Sequence, residues 1–334
     1  MAVNYRFLNL EVEMLGHQKV LNTLQAAIKS DNVSHAYIFE GPNGVGKRET
    51  ALSFSSMLTC EAEDAPCGQC KSCQLFKENS HPDFVEIYFE DKSISVEDIR
   101  NILKGLVIKP LYSKYKIIII NDADNMTVQA QNAVLKSLEE PPPYVIFILT
   151  VQSGAAMTQT VRSRCQRIFF DKLGYEDIIG ILEAKYGSRL PEWDFIVSYA
   201  DGVIGTALEL IDSPHYLDIR ENVLDALTQL LSSQDIDLFK LYEMFEKNND
   251  NIDYILRVML LFFRDIIIYN QTAEFKILIN SDKKDMIIKN VRTSLSSLLK
   301  CIQAIWDAKR GLEVNANFQL TIEVMLMKIQ SNLT

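Results

Sequence analysis

Gly41-Pro42-Asn43-Gly44-Val45-Gly46-Lys47 has the spacing G-x-x-x-x-G-K. Glycines at these intervals let backbone N–H groups close on phosphate oxygens, and the lysine reaches the outer phosphates of a nucleotide. Gly41, Gly44, Gly46 and Lys47 are therefore candidates for holding ATP or ADP. The following position should offer a hydroxyl to magnesium, and it is Arg48. Thr50 lies two residues too far along to replace it. A tight strand-to-helix turn that binds nothing is the competing reading of the same residues.

Hydrolysis would also require a carboxylate at the end of an apolar strand to hold magnesium, with a second to orient water. The run KIIII ends in Asn121-Asp122-Ala123-Asp124, so a neutral amide stands where the first charge is expected. Two magnesium contacts are compromised in one chain, and hydrolysis should be lost or very slow unless Asp122 and Asp124 rescue the metal.

Cys60, Cys67, Cys70 and Cys73 place four thiols within fourteen residues, in two C-x-x-C steps that share Cys70. That spacing suits one tetrahedral zinc ion, and four thiolates leave no position for water, so the ion would be structural. His81 is a conceivable alternative ligand. Arg164, in Ser163-Arg164-Cys165, lies between Arg162 and Arg167. An arginine held out on such a loop can reach a phosphate on a neighbouring subunit, although a solvated basic loop would look the same.

Strands are expected at 36–40, 84–89, 116–120 and 145–150, with helices at 49–58, 96–107 and 127–139 between them. Alternating strands and helices predict a parallel sheet covered on both faces. From about residue 175 the pattern is helical, with a short unit to about 211 closed at Asp212-Ser213-Pro214. Helices are then expected near 216–232, 235–248, 251–271, 283–309 and 316–331. The boundaries this suggests are 1–170, 171–212 and 213–334, with the cysteine module inserted at about 60–73.

The chain has 334 residues and a net charge of −10, which excludes a polybasic coat for nucleic acid. Residues 1–170 carry 17 basic and 19 acidic groups and the remainder 17 and 25, so the acidity lies mostly in the second half. Lys109, Lys114, Lys116, Arg162 and Arg167 could touch DNA only if they cluster. The opening MAVNYRFLNLEVEM has charges where a secretion signal needs apolar residues, and Arg257, Arg264 and Asp265 interrupt the most apolar later run. A cytoplasmic protein with no membrane partner is expected.

Together these motifs resemble the AAA+ clamp-loader subunits of bacterial DNA polymerase III. The resemblance rests on Leu15-Gly16-His17, the phosphate loop, the cysteine module after its helix, NDADNM at 121–126, NAVLKSLEEPP at 132–142 and the SRC motif at 163–165. It covers essentially the first 210 residues. It implies an α/β AAA+ module, a small helical lid and an all-α collar domain that assembles subunits. It also implies membership of a pentamer with gamma/tau ATPase subunits and a delta subunit, acting on a sliding clamp and primed DNA. Arg48 and Asn121 match the family's non-hydrolysing stator, whose arginine reaches the adjacent ATP site, and by position that arginine is Arg164. Active relatives place a further arginine at the lid helix where Thr206 stands here, and Thr150 lies in the region of their first sensor.

Overall fold

The computed structural model describes residues 14–88, 93–232, 238–289 and 293–333. The charged N-terminal run lies almost wholly outside them. Contacts along the chain divide it into two compact units, one reaching to residue 189 together with Ala200–Thr206, the other comprising Leu190–Tyr199 and the chain from Ala207 onward.

The first unit runs α1 (Gln18–Lys29), β1 (Ala36–Glu40), α2 (Lys47–Thr59), α3 (Lys71–Lys77), β2 (Phe84–Ile87), α4 (Val96–Lys104), β3 (Lys116–Ile120), α5 (Val128–Glu139), β4 (Val145–Val151), α6 (Gln159–Arg162), β5 (Gln166–Phe169) and α7 (Tyr175–Tyr186). All five strands are parallel, in the order β2-β3-β4-β1-β5. The isoleucine run explains why the sheet is covered twice, because successive side chains of a strand point to opposite faces. Ile118 and Ile120 join Phe147 and Leu149 under Ile99, Ala130, Val134 and Leu138. Ile117 and Ile119 join Ile146 and Ile148 under Leu24, Leu52, Phe54 and Phe76.

The expected strand at 84–89 is shorter. β2 leaves the ladder after Ile87, because β3 offers it partners only from Ile117 to Ile120, and Phe89 lies outside the described residues.

The second unit is helical. It contains α8 (Trp193–Ala200, apart from its last residue) and most of α9 (Ile204–Asp212), followed by α10 (His215–Ser232), α11 (Leu238–Lys247) and α12 (Ile252–Thr272). α13 (Lys284–Lys289), α14 (Leu295–Glu313) and α15 (Phe318–Leu333) complete it. Ile255, Val258, Met259, Phe262 and Ile266 of α12 are fully enclosed. The helix expected over 283–309 is two helices. Ser294 accepts a hydrogen bond from Ser297 N and caps the start of α14, as a serine does at a helix N-terminus. No described helix is long and apolar enough to cross a membrane.

Candidate functional site

The phosphate loop joins β1 to α2 at the carboxyl end of the sheet. Gly44 and Gly46 take φ of +72° and +104°, values that side-chain-bearing residues rarely adopt. The Lys47 ammonium folds back into its own loop, donating to the carbonyls of Gly41 at 2.7 Å and Pro42 at 2.8 Å. Burial lowers its pKa, against the pull of Asp122 and Asp124. Gly205 N, at the start of α9, donates to Gly44 O at 2.8 Å, and a Cβ on Gly205 would sit 3.0 Å from Gly44. Backbone of the α9 start thus closes directly over the turn. The His17 ring lies 2.7 Å from Val45 O on another side.

Arg48 does not face the loop. Its guanidinium forks onto Glu86 of β2, Nε to Oε1 at 2.7 Å and Nη2 to Oε2 at 2.9 Å. Glu86 is nearly sealed from solvent and also accepts from Asn121 Nδ2 at 2.9 Å. Thr150 contributes its hydroxyl to Asn121 Oδ1 at 3.4 Å and accepts from Asp122 N at 3.1 Å. The residues standing at the hydroxyl and carboxylate positions of a magnesium site are therefore bonded through one buried glutamate. Of the acids that might rescue a metal, Asp124 accepts from Gln152 N, and burial followed by repulsion from Asp124 raises the Asp122 pKa. The second Asp124 oxygen, Oδ1, is buried and takes no hydrogen bond from the described residues.

The four cysteine sulfurs lie within 4.8 Å of one another. Cys67 and Cys73 Sγ are 4.0 Å apart, close to the edge of about 3.8 Å that a tetrahedron with metal–sulfur bonds near 2.3 Å requires. Amides at Ala62 and Cys67 point at Cys60 Sγ, that of Cys70 at Cys67 Sγ and that of Cys73 at Cys70 Sγ, each at 3.4 Å. Donors around sulfur favour thiolate, and the amides of Gln69 and Cys70 draw the Cys67 pKa down to about 6. Burial pushes Cys73 up to about 12 without a metal. The group can hold a metal ion. His81 does not join it: Ser72 gives its hydroxyl hydrogen to Thr59 O, so His81 Nε2 donates to Ser72 Oγ at 2.8 Å while Nδ1 accepts from Asp83 N.

Arg164 follows α6 and precedes β5. Nη2 pairs with Glu139 Oε1 at 2.6 Å and Nη1 donates to Thr160 O at 2.8 Å, while a third of the side chain stays exposed. Its loop is braced by buried Gln131 of α5, which accepts from Thr158 N and donates to the carbonyls of Met126 and Ala156. Three of the other basic residues are engaged within the chain. Arg167 binds Glu40, Lys114 binds Asp31, and Lys116 is buried.

Sequence spacing located the loop, the cysteines and Arg164, but not Glu86, Glu139 or Gln131. Glu86 left one signal, a lone carboxylate on an inward position of an apolar strand.

A family model described as DNA polymerase III, delta subunit, matches residues 16–174, and one described as DNA polymerase III, delta subunit, C terminal, matches residues 214–331. The chain is 26% identical over 334 residues to DNA polymerase III subunit delta' of Bacillus subtilis, covering 99% of each. It is 28% identical over 347 residues to DNA polymerase III subunit tau of the same organism, covering 95% of this chain but only 61% of that subunit's length. A gamma subunit-related protein from Thermotoga maritima shares the fold, with a TM-score of 0.52 at 20% identity over 94% of this chain and 99% of that one. With matches of one kind at both ends of the sequence and along its whole length, the chain belongs to the DNA polymerase III clamp-loader subunit family.

Proposed function

We propose that the chain is the delta prime-type, non-hydrolysing subunit of the clamp loader and supplies Arg164 in trans to the ATP site of a neighbouring gamma/tau subunit. The observation that carries this reading is the Arg48–Glu86–Asn121 cluster. It engages the positions that magnesium would need, whereas Arg164 is partly exposed on a braced loop. An arginine placed on a neighbour's phosphates stabilises the charge that builds up during phosphoryl transfer, and such a residue is worth on the order of a thousandfold or more in rate.

In this proposal the chain comprises an AAA+ module (1–170), a lid (171–212) and a collar domain (213–334) and works in a cytoplasmic assembly. Its other members are gamma/tau and delta, and it places a sliding clamp on primed DNA. The cysteine group holds zinc, which ties the segment between α2 and α3. The phosphate loop with Gly41, Gly44, Gly46 and Lys47 could receive ATP or ADP only if Lys47 lets go of its own carbonyls and the α9 start moves off Gly44.

The test is DNA-stimulated ATP hydrolysis by the reconstituted loader. Arg164→Ala should remove turnover at the adjoining site, a loss there of roughly a thousandfold, with assembly intact by size-exclusion chromatography. Undiminished turnover would refute the arginine's role. Hydrolysis by the purified chain alone, abolished by Lys47→Ala, would establish the active ATPase reading instead.

A further inference from the structure

An arginine acts on a neighbour's nucleotide efficiently only if its long side chain, free in water to take many rotamers, is already in the right one when the neighbour arrives. Helix α5 supplies a fixed frame for that. Ala130, Val134 and Leu138 bury one of its faces against the sheet. Near its start Gln131 accepts from Thr158 N at 2.7 Å and donates to Ala156 O at 3.1 Å, which hangs the segment leading into α6 from the helix. At its last residue Glu139 Oε1 lies 2.6 Å from Arg164 Nη2. Residues 131 and 139 stand about 12 Å apart along one helix, so the arginine loop is suspended from α5 at two separated points.

Glu139 stands where a helix by itself does not favour it. The carboxyl end of a helix carries partial negative charge, which attracts cations and repels carboxylates. Glu139 closes α5 and Glu140 caps it, so the Arg164 guanidinium relieves a repulsion that the helix creates. A second element holds the same guanidinium. Nη1 donates to Thr160 O of α6 at 2.8 Å, a carbonyl that also takes the Ser163 hydroxyl at 3.1 Å. A guanidinium has five N–H donors in one plane, and partners on two elements fix that plane while donors remain for a ligand. Arg164 is 33% exposed and Glu139 47%, so water screens the pair. It is strong enough to select a rotamer and too weak to hold the guanidinium back from a polyphosphate.

We propose that Glu139 is the positioning residue of Arg164. It sets the guanidinium in one exposed pose before assembly, for the terminal phosphate of ATP bound by the neighbouring subunit, and stays paired while that phosphate is transferred. This rests on the reading of Arg164 as an arginine supplied in trans.

The experiment measures ATP hydrolysis by the loader reconstituted with gamma/tau, delta, sliding clamp and primed DNA. The share of turnover that Arg164→Ala removes should fall roughly tenfold with Glu139→Ala, about the rotamer freedom of one arginine. KM for ATP should stay unchanged, because the neighbour holds the nucleotide. Glu139→Gln, which keeps an oxygen for Nη2, should restore most of the rate, and Glu139→Ala should add nothing to Arg164→Ala. In the purified chain, nuclear magnetic resonance should show slow rotation of the Arg164 guanidinium about Nε–Cζ, released by Glu139→Ala with an unchanged circular dichroism spectrum. Turnover that is unchanged or raised in Glu139→Ala would overturn the proposal, as would equal rotation in both chains. If Arg164→Ala itself costs no turnover, both roles fall; if it does and Glu139→Ala does not, only that of Glu139 falls.

Discussion

Arg48 neutralises the buried Glu86 carboxylate, and the buried Asp83 carboxylate is itself held by backbone amides. With Arg48→Ala, the Glu86 carboxylate keeps only Asn121 as a partner in a site almost closed to water. An uncompensated buried charge costs about 3–5 kcal/mol. Arg48 is itself about a quarter exposed, at 24%, so the expected loss is nearer 2–3 kcal/mol, read from urea unfolding. A loss below about 0.5 kcal/mol, the range of ordinary surface changes, would mean that water replaces the guanidinium. For Asp83, burial alone would raise the pKa, but the amides of Tyr112, Leu111 and Ser113 outweigh it and hold the carboxyl below its ordinary value. A depressed carboxyl stabilises the fold above the unfolded pKa of about 3.9, and that contribution is lost as pH falls through the lower folded value. Asp83→Asn should therefore flatten the acid limb of stability against pH below about 4. An unchanged slope there would show that the amide hydrogen bonds do not carry the effect.

At the scale of elements, the cysteine segment is the one that would depend most on the metal proposed for it. Between the end of α2 and the start of α3 there is little apolar burial to hold the chain, and the sulfurs are surrounded by amides rather than packed side chains. Purified protein should contain about one zinc per chain, and removing it with a chelator should melt this segment, seen as faster hydrogen exchange over 60–73, while β3 and β4 stay protected. Zinc well below half an equivalent, or uniform loss of protection, would contradict that arrangement. The elements were largely legible in the sequence, because isoleucine runs, glycine spacing and C-x-x-C steps are local signals. The Glu86 partner of Arg48 lies 38 residues away, and the Leu111 and Tyr112 amides meet Asp83 across 28 and 29 residues. Pairings of this kind are set by strand order. The start of α14 at Leu295 escaped detection for the opposite reason, since helical periodicity on both sides concealed the Ser294 cap.

On the scale of the whole molecule, the two units are built on different principles. The first is a sheet with one dry core on each face. The second is a helical unit in which buried Arg220 binds Asp282 through two nitrogens, at 2.8 and 2.7 Å, donates to Asn280 and lies over the Phe195 ring. Fully buried Asp265 accepts from the amides of Ile279 and Asn280, fastening the same segment to α12. Arg220→Ala should cost about 3 kcal/mol or more and lower the thermal transition of the helical unit while leaving metal content unchanged. An unaltered transition would mean that this network is dispensable. The Arg48–Glu86 fork has a consequence at this scale as well. A guanidinium attached to the chain stays charged at every physiological pH and cannot be diluted, chelated or exchanged. Neither the cellular ratio of ATP to ADP nor the supply of free magnesium can remove the cation that neutralises Glu86. If the subunit stands as a stator among ATPases, it keeps the same geometry in a starved cell and in a growing one.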